Sequence, residues 1–302
     1  MQPTVVEVQR LSKTFRPTWA TGTKYALSNV TLSIEPGTVL GLVGANGSGK
    51  STLMKCLLGL LRPTAGTSHV FGEDSWDLSA AAKARIGYVP QEITSYPWMR
   101  VRQVIAYTAA FYPNWNPMFV DELCRRWHVP LEDRIGELST GQLQSVGIVL
   151  ALGHEPDLLV LDEPVASLDP AARRQFLRTI LEMLEGHERT VVFSSHITSD
   201  LERIANRVAI LAHGRLRFHG EVDELKEHVK RLRIAARSAL PEDFRVPGAL
   251  RCEVNGASAT VSVTNFDEAL VDNLRREWDA DVSAHDLNLE EIFVEMHDAA
   301  VC

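Results

Sequence analysis

Three short runs of unbroken apolar residues punctuate the chain: TVLGLVG at 38–44, DLLVLD at 157–162 and RTVVFSS at 189–195. Strands buried on both faces read this way, because a sheet covered by helices has no wet side to impose alternation. Each run passes into polar turn residues and then helix-compatible sequence, which predicts a parallel α/β sheet with its working loops at the strand C-termini. Ahead of these runs, VVEVQRLSKTF and ALSNVTLSIEPG alternate apolar and polar positions, as antiparallel strands with one solvated face do. Residues 97–135 predict two helices separated by a turn at Pro113 to Pro117, a helical insert between the strands.

Beyond Gly220 the pattern changes. EVDELKEHVKRLR reads as a charged helix with a solvated face. RIAARS and LRCEV alternate, NGAS is a hairpin turn, ATVSV is a strand, and a helix DEALVDNLRREW, a short strand and a last helix LEEIFVEMHD follow. The expected division is a larger unit at 1–222, with a helical subdomain at about 92–150, and a small α+β domain at 223–302. A chain of 302 residues exceeds the length at which single cores usually stop growing, so two units are the default. There is no internal repeat and no low-complexity tract.

Composition narrows the function classes. With 31 basic against 39 acidic residues and a formal charge of −8, the chain lacks the basic balance of a nucleic-acid binder, and no nucleic-acid partner is expected. Cys56, Cys124, Cys252 and Cys302 have no metal-ligand spacing and read as buried or incidental thiols. MQPTVVEVQRLSKTF is not a signal peptide, and no apolar stretch reaches the ~18 residues of a membrane helix. A soluble, cytoplasmic protein is expected, with any membrane role exercised through a partner.

The chemistry concentrates at GANGSGKS, residues 44–51, which matches G-x-x-x-x-G-K-[ST] between an apolar strand and the helical TLMKCLLGLL. Gly44, Gly47 and Gly49 let the backbone curl so that successive N–H groups and a positive helix end face phosphates. Lys50 supplies a point charge for the β- and γ-phosphates, and the Ser51 hydroxyl suits one position on Mg²⁺. In LLVLDEP, Asp162 at the strand end is placed to hold Mg²⁺ through water, and Glu163 to orient and deprotonate an attacking water. His196 follows the strand TVVFSS, where an imidazole can donate to the γ-phosphate or that water.

The ordered set resembles the ATP-binding subunit of ATP-binding cassette (ABC) transporters from residue 5 to about 220: the phosphate loop, Gln91 in YVPQE, LSTGQ at 138–142, LLVLDEP at 158–164, SLD at 167–169, and SSH ending at His196. The resemblance implies a P-loop NTPase of ABC type, with a mixed-sheet core, an antiparallel β subdomain and a helical subdomain, followed by the small C-terminal α+β domain. It implies ATP and Mg²⁺, with Asn46, Ser48 and Thr52 joining the phosphate cradle and Ser51, Gln91 and Asp162 on the metal. Two nucleotide domains would pack head to tail, so that Ser139, Gly141 and Gln142 contact the nucleotide on the partner and Asp169 communicates between the sites. Tyr25 would stack on adenine, and Gln91 would sense the γ-phosphate.

The sequence departs from the family pattern at Thr140, where the commonest signature has glycine, and at Ser145 and Leu150, where many relatives have arginine. The implied partners are a separately encoded transmembrane permease, docked on TSYPWMR, and a second nucleotide-binding domain, a homodimer being preferred to a heterodimer. The chain would then sit on the inner face of the cell membrane. The ending LNLEEIFVEM resembles export-type subunits handling a drug, lipid or antimicrobial peptide. The alternatives are a soluble non-transport ABC ATPase, or an ATP-gated clamp with weak hydrolysis.

Overall fold

The computed structural model describes residues 4–15, 23–185, 188–195, 197–241 and 243–298, so His196 and Cys302 lie outside the described residues. In chain order the larger part contains β1 (Val6–Phe15), β2 (Lys24–Ile34), β3 (Val39–Val43), α1 (Lys50–Leu57), β4 (Ala65–Val70), β5 (Glu73–Asp74), α2 (Ala80–Lys83) and β6 (Ile86–Val89). It continues with α3 (Val101–Ala109), α4 (Pro117–Arg126), α5 (Thr140–Leu152), β7 (Leu158–Asp162), α6 (Pro170–Leu184), β8 (Thr190–Ser194), α7 (Thr198–Ile204), β9 (Arg207–Ala212), β10 (Arg215–Glu221) and α8 (Val222–His228). The remainder is β11 (Lys230–Ala236), β12 (Ala249–Asn255), β13 (Ser258–Val263), α9 (Glu268–Trp278), β14 (Ala280–Asp286) and α10 (Leu289–Asp298).

The central sheet has the order β10-β9-β3-β8-β7-β6. Its strands are parallel except β10, which returns antiparallel to β9. The strand pattern alone points to a parallel sheet; the sheet is mixed, as the resemblance implies, and it ends at one edge in a β9–β10 hairpin that the sequence pattern did not mark. Strands β4, β5 and β6 were likewise unmarked.

Successive residues of the central strands serve two cores. Val39, Leu159, Leu161, Val191, Phe193, Val208 and Ile210 face one core, packed by α3 to α7. Leu40, Leu42, Leu158, Val160, Val192, Ala209 and Leu211 face the other, shared with α1 and with the antiparallel sheet β2-β1-β4-β5. Burial on both faces is the physical reason these strands read as continuous apolar runs. β1 and β2 are antiparallel, as their alternation predicts, with Val6 opposite Ile34 and Thr14 opposite Tyr25.

The helix expected over 221–233 stops at His228, and Lys230–Ala236 is a strand. Leu232 and Ile234 alternate with Arg231 and Arg233, and that period of two buries both apolar side chains in a third core. The sheet there, β12-β13-β11-β14, packs Leu232, Val261 and Val263 with Val271 and Leu274 of α9. The chain then crosses back: Leu287, Leu289 and Ile292 are buried in the first core of the larger part, with α10 against α7 and β12.

Candidate active site

The phosphate loop joins the C-terminal end of β3 to α1. Gly49 caps the helix at φ 112°, and a Cβ on it would stand 2.6 Å from the Ala26 carbonyl oxygen, so conformation and space both require glycine. Lys50 is buried, and its Nζ donates to the Gly44 carbonyl oxygen at 2.7 Å and lies 3.6 Å from Glu163 Oε1. The Ser48 hydroxyl is buried without a hydrogen-bond partner among the described residues. A buried hydroxyl left unmatched costs ~1–3 kcal/mol, a cost that a phosphate oxygen in the loop would remove.

The β7–β8 register places Asp162 opposite Ser194 at the strand C-termini. Ser194 Oγ donates to Asp162 Oδ1 at 2.9 Å and accepts from the Glu163 N–H at 3.0 Å. One buried hydroxyl thus holds the Asp162 carboxylate and the Glu163 backbone, a part that sequence reasoning did not assign; its signal was a polar residue ending the buried run TVVFSS. Glu163 itself adopts φ +50°, a costly conformation for a side chain of its size. Beside them the Tyr88 phenol is pushed up to about 12, first by burial and then by the Asp162 charge.

A cavity of about 450 Å³ opens over the loop, lined by Asn46, Gly47, Ser48, Gly49, Lys50, Ser51, Thr52, Gln91 and Glu163 together with Phe15, Lys24 and Ala26. Its size falls in the roughly 300–1,000 Å³ range of small-molecule sites. Among the described residues no group of three or more His, Cys, Asp or Glu side chains could hold a metal ion unaided. The oxygen donors of Ser51, Gln91 and Asp162 suit Mg²⁺, which usually keeps water and shares its sphere with substrate phosphates.

Tyr25 is not among the residues lining this cavity. It lies on β2 between Lys24 and Ala26, and because successive strand side chains point to opposite faces, the two neighbours line the cavity and Tyr25 does not. Among the described residues the aromatic lining the cavity is Phe15, 41% exposed, at the end of β1 with the Lys13 ammonium 5.2 Å from its ring centroid.

LSTGQ forms the start of α5, away from the phosphate loop. Ser139 caps the helix: its Oγ accepts from the Gln142 N–H at 3.3 Å, and Gln142 Oε1 accepts from the Ser139 N–H at 2.9 Å. Ser139, Gly141 and Gln142 line a second cavity of about 420 Å³ with Asp169, Ser167, Trp127 and His128. Asp169 caps α6, and the N–H groups of Ala172 and Ala171 hold its carboxyl below the usual range. The two cavities share no lining residue.

A loop of this pattern after a buried strand, with two acids at the end of a neighbouring strand, defines a P-loop nucleoside triphosphatase. Residues 27–166 match the ABC transporter family. The phosphonates import ATP-binding protein PhnC of Alcaligenes faecalis is 34% identical over 74% of this chain and 86% of its own length. The ABC transporter ATP-binding protein YtrB of Bacillus subtilis is 27% identical over 96% of this chain and 97% of that protein. A solved ATP-binding subunit of an ABC transporter superposes with a TM-score of 0.65 at 27% identity, covering 74% of this chain and 92% of that one. The chain belongs to the ABC transporter ATP-binding proteins and is an ATPase of that family. Subunits of this family dimerise and pair with membrane permeases. Among the described residues no helix is long and apolar enough to cross a membrane.

Proposed function

We propose that two copies of this chain close head to tail around two ATP molecules and drive a separately encoded permease. The observation that carries this reading is the separation of the two half-sites: phosphate-loop groups line one cavity and signature groups another on the same chain. In the closed dimer, Ser139, Gly141 and Gln142 complete the site over the partner's phosphate loop, with the N-terminus of α5 facing the γ-phosphate. Asp169, in the same cavity, links the two sites.

Within each site Lys50 holds the β- and γ-phosphates and the curled loop N–H groups cradle them. Binding substrate turns the Lys50 ammonium from Glu163 toward phosphate, which frees that carboxylate to take a proton from the attacking water. Bound through Ser51, Gln91 and Asp162, Mg²⁺ would neutralise charge developing on the phosphate oxygens. His196 is proposed to donate to the γ-phosphate.

Phe15, rather than Tyr25, is the adenine platform in this reading. Phe15→Ala is expected to raise the KM for ATP roughly 5- to 100-fold, the loss of one base–aromatic stack, while Tyr25→Ala leaves it within about twofold. Steady-state ATPase assays decide between them, and the reverse ranking would return the role to Tyr25.

Closure is carried to the permease through the segment after Gln91. Tyr96, Trp98, Tyr107 and Phe111 form a continuous exposed aromatic strip there, with ring centroids 5.1–5.8 Å apart. The unit at 223–302 supports the dimer, and the chain works on the inner face of the cell membrane, held by the permease. Export of a drug, lipid or antimicrobial peptide is the proposed task, resting on the resemblance of LNLEEIFVEM to export-type subunits. Affinity purification from detergent-solubilised host membranes tests the transporter reading. A polytopic permease recovered in near-equal amount is expected, and recovery of ribosomal or DNA-bound partners alone would assign the ATPase to a non-transport machine.

A further inference from the structure

The signature cavity contains a group that the known chemistry leaves unused. His128 lines it beside Ser139, Gly141 and Gln142. α4 ends at this point, with Trp127 as the capping residue, the His128 N–H donating to the Arg125 carbonyl at 3.3 Å and the Val129 N–H to the Cys124 carbonyl at 2.9 Å. His128 takes φ +51°, the left-handed conformation that helices usually give to glycine at this position. The chain therefore holds an imidazole on the cavity wall where glycine would be the unstrained choice.

The charge inventory makes this imidazole distinctive. Among the described lining residues there is no lysine or arginine, and the titratable groups are His128 and Asp169 alone. Three neighbouring arginines are engaged away from the cavity: on α4, Arg126 pairs with Glu122 and Glu182, and Arg125 donates to the Asp121 carbonyl. On α6, Arg173 pairs with Asp200, while Arg174, itself not a lining residue, is the cation that acts on the cavity through Asp169. Nothing on α5 is charged. The phosphate-loop cavity, by contrast, carries Lys24 and Lys50.

We infer that His128 is a contact to the nucleotide held on the partner's phosphate loop, and that its protonated form strengthens ATP-driven closure of the dimer. The inference rests on the composite-site reading above. A protonated imidazole would add a charge-assisted hydrogen bond to a phosphate or ribose oxygen across the interface, and imidazole is the side chain that ordinarily changes charge between pH 5 and 8. The sign follows: closure needs less ATP in acid and more in base.

The test uses the full chain carrying Glu163→Gln, titrated with ATP and Mg²⁺ at about pH 6 and about pH 8, with dimer fraction read by light scattering after size exclusion. The second protein adds His128→Asn, a residue that tolerates the left-handed conformation and hydrogen-bonds but does not titrate. The ATP concentration at half-dimerisation is expected to rise roughly tenfold from the lower pH to the higher in the first protein. It should vary clearly less in the second, which shares the titration of ATP itself. Equal pH dependence in both proteins would overturn the role of His128 while leaving the composite site intact. Absence of an ATP-dependent dimer at both pH values in Glu163→Gln would remove the homodimeric composite site and this inference with it.

Discussion

Glu163→Gln is expected to lower ATP turnover by roughly 10²- to 10⁴-fold, the loss of a positioned general base, while ATP still binds. Glu163 is the one carboxylate among the described residues lining the phosphate-loop cavity. Its position is fixed from two sides, by the Ser194 hydroxyl on its backbone N–H and by Lys50 at 3.6 Å. Glutamine keeps the size and can keep the backbone contact, but it cannot accept the proton. It also removes a negative charge that pairs with Lys50 and, in the proposed site, would stand against the γ-phosphate. Binding should therefore be unweakened, and a dimer with ATP trapped inside should accumulate on size exclusion where the wild type runs mostly as monomer. Phosphate release near the wild-type rate would mean that another group takes the proton. A monomer in saturating ATP would instead point to a different chain supplying the second signature.

A mixing experiment gives the other large effect. Lys50→Ala removes the cavity's principal phosphate charge, and Ser139→Arg places a long side chain on the signature cap without touching the phosphate loop. Each homodimer then has two defective sites, one lacking the phosphate lysine and the other the signature, and each is expected to lose on the order of 10²-fold or more in ATPase rate. An equimolar mixture forms heterodimers in which the Lys50 of one chain meets the Ser139 of the other, so one site per heterodimer is whole. Activity should return on mixing, to a fraction of the wild-type rate set by the heterodimer population. A mixture no more active than its components, when both variants still form ATP-dependent dimers with wild-type chain, would show that the signature does not serve the opposite nucleotide.

How much of this was legible in the sequence depends on the range of each interaction. The phosphate loop is a local object: eight consecutive residues, GANGSGKS, between an apolar strand and a helix set its backbone and its charge. Asp162 and Glu163 were legible because LLVLDEP ends a buried run with acids, where apolar burial alone would not place them. Tyr25 came from the family resemblance, but β2 buries Leu27 and Val30 against the core and shows Lys24 and Ala26 to the cavity. Strand alternation then turns Tyr25 away, while Phe15 from the neighbouring strand lines the cavity.

By itself the sequence determined the alternation of buried strand and helix, the phosphate loop with its lysine, and the acids at the strand end, because each follows from residues within a turn or a strand of one another. Only the tertiary structure decided that Ser194 holds the Asp162 carboxylate and the Glu163 backbone, that Phe15 lines the cavity, that His128 and Asp169 join the signature, and that the last helix packs into the first core. Those partners are brought together by sheet order and helix packing, which are set by the burial of whole faces. No short stretch of chain contains the information that selects them.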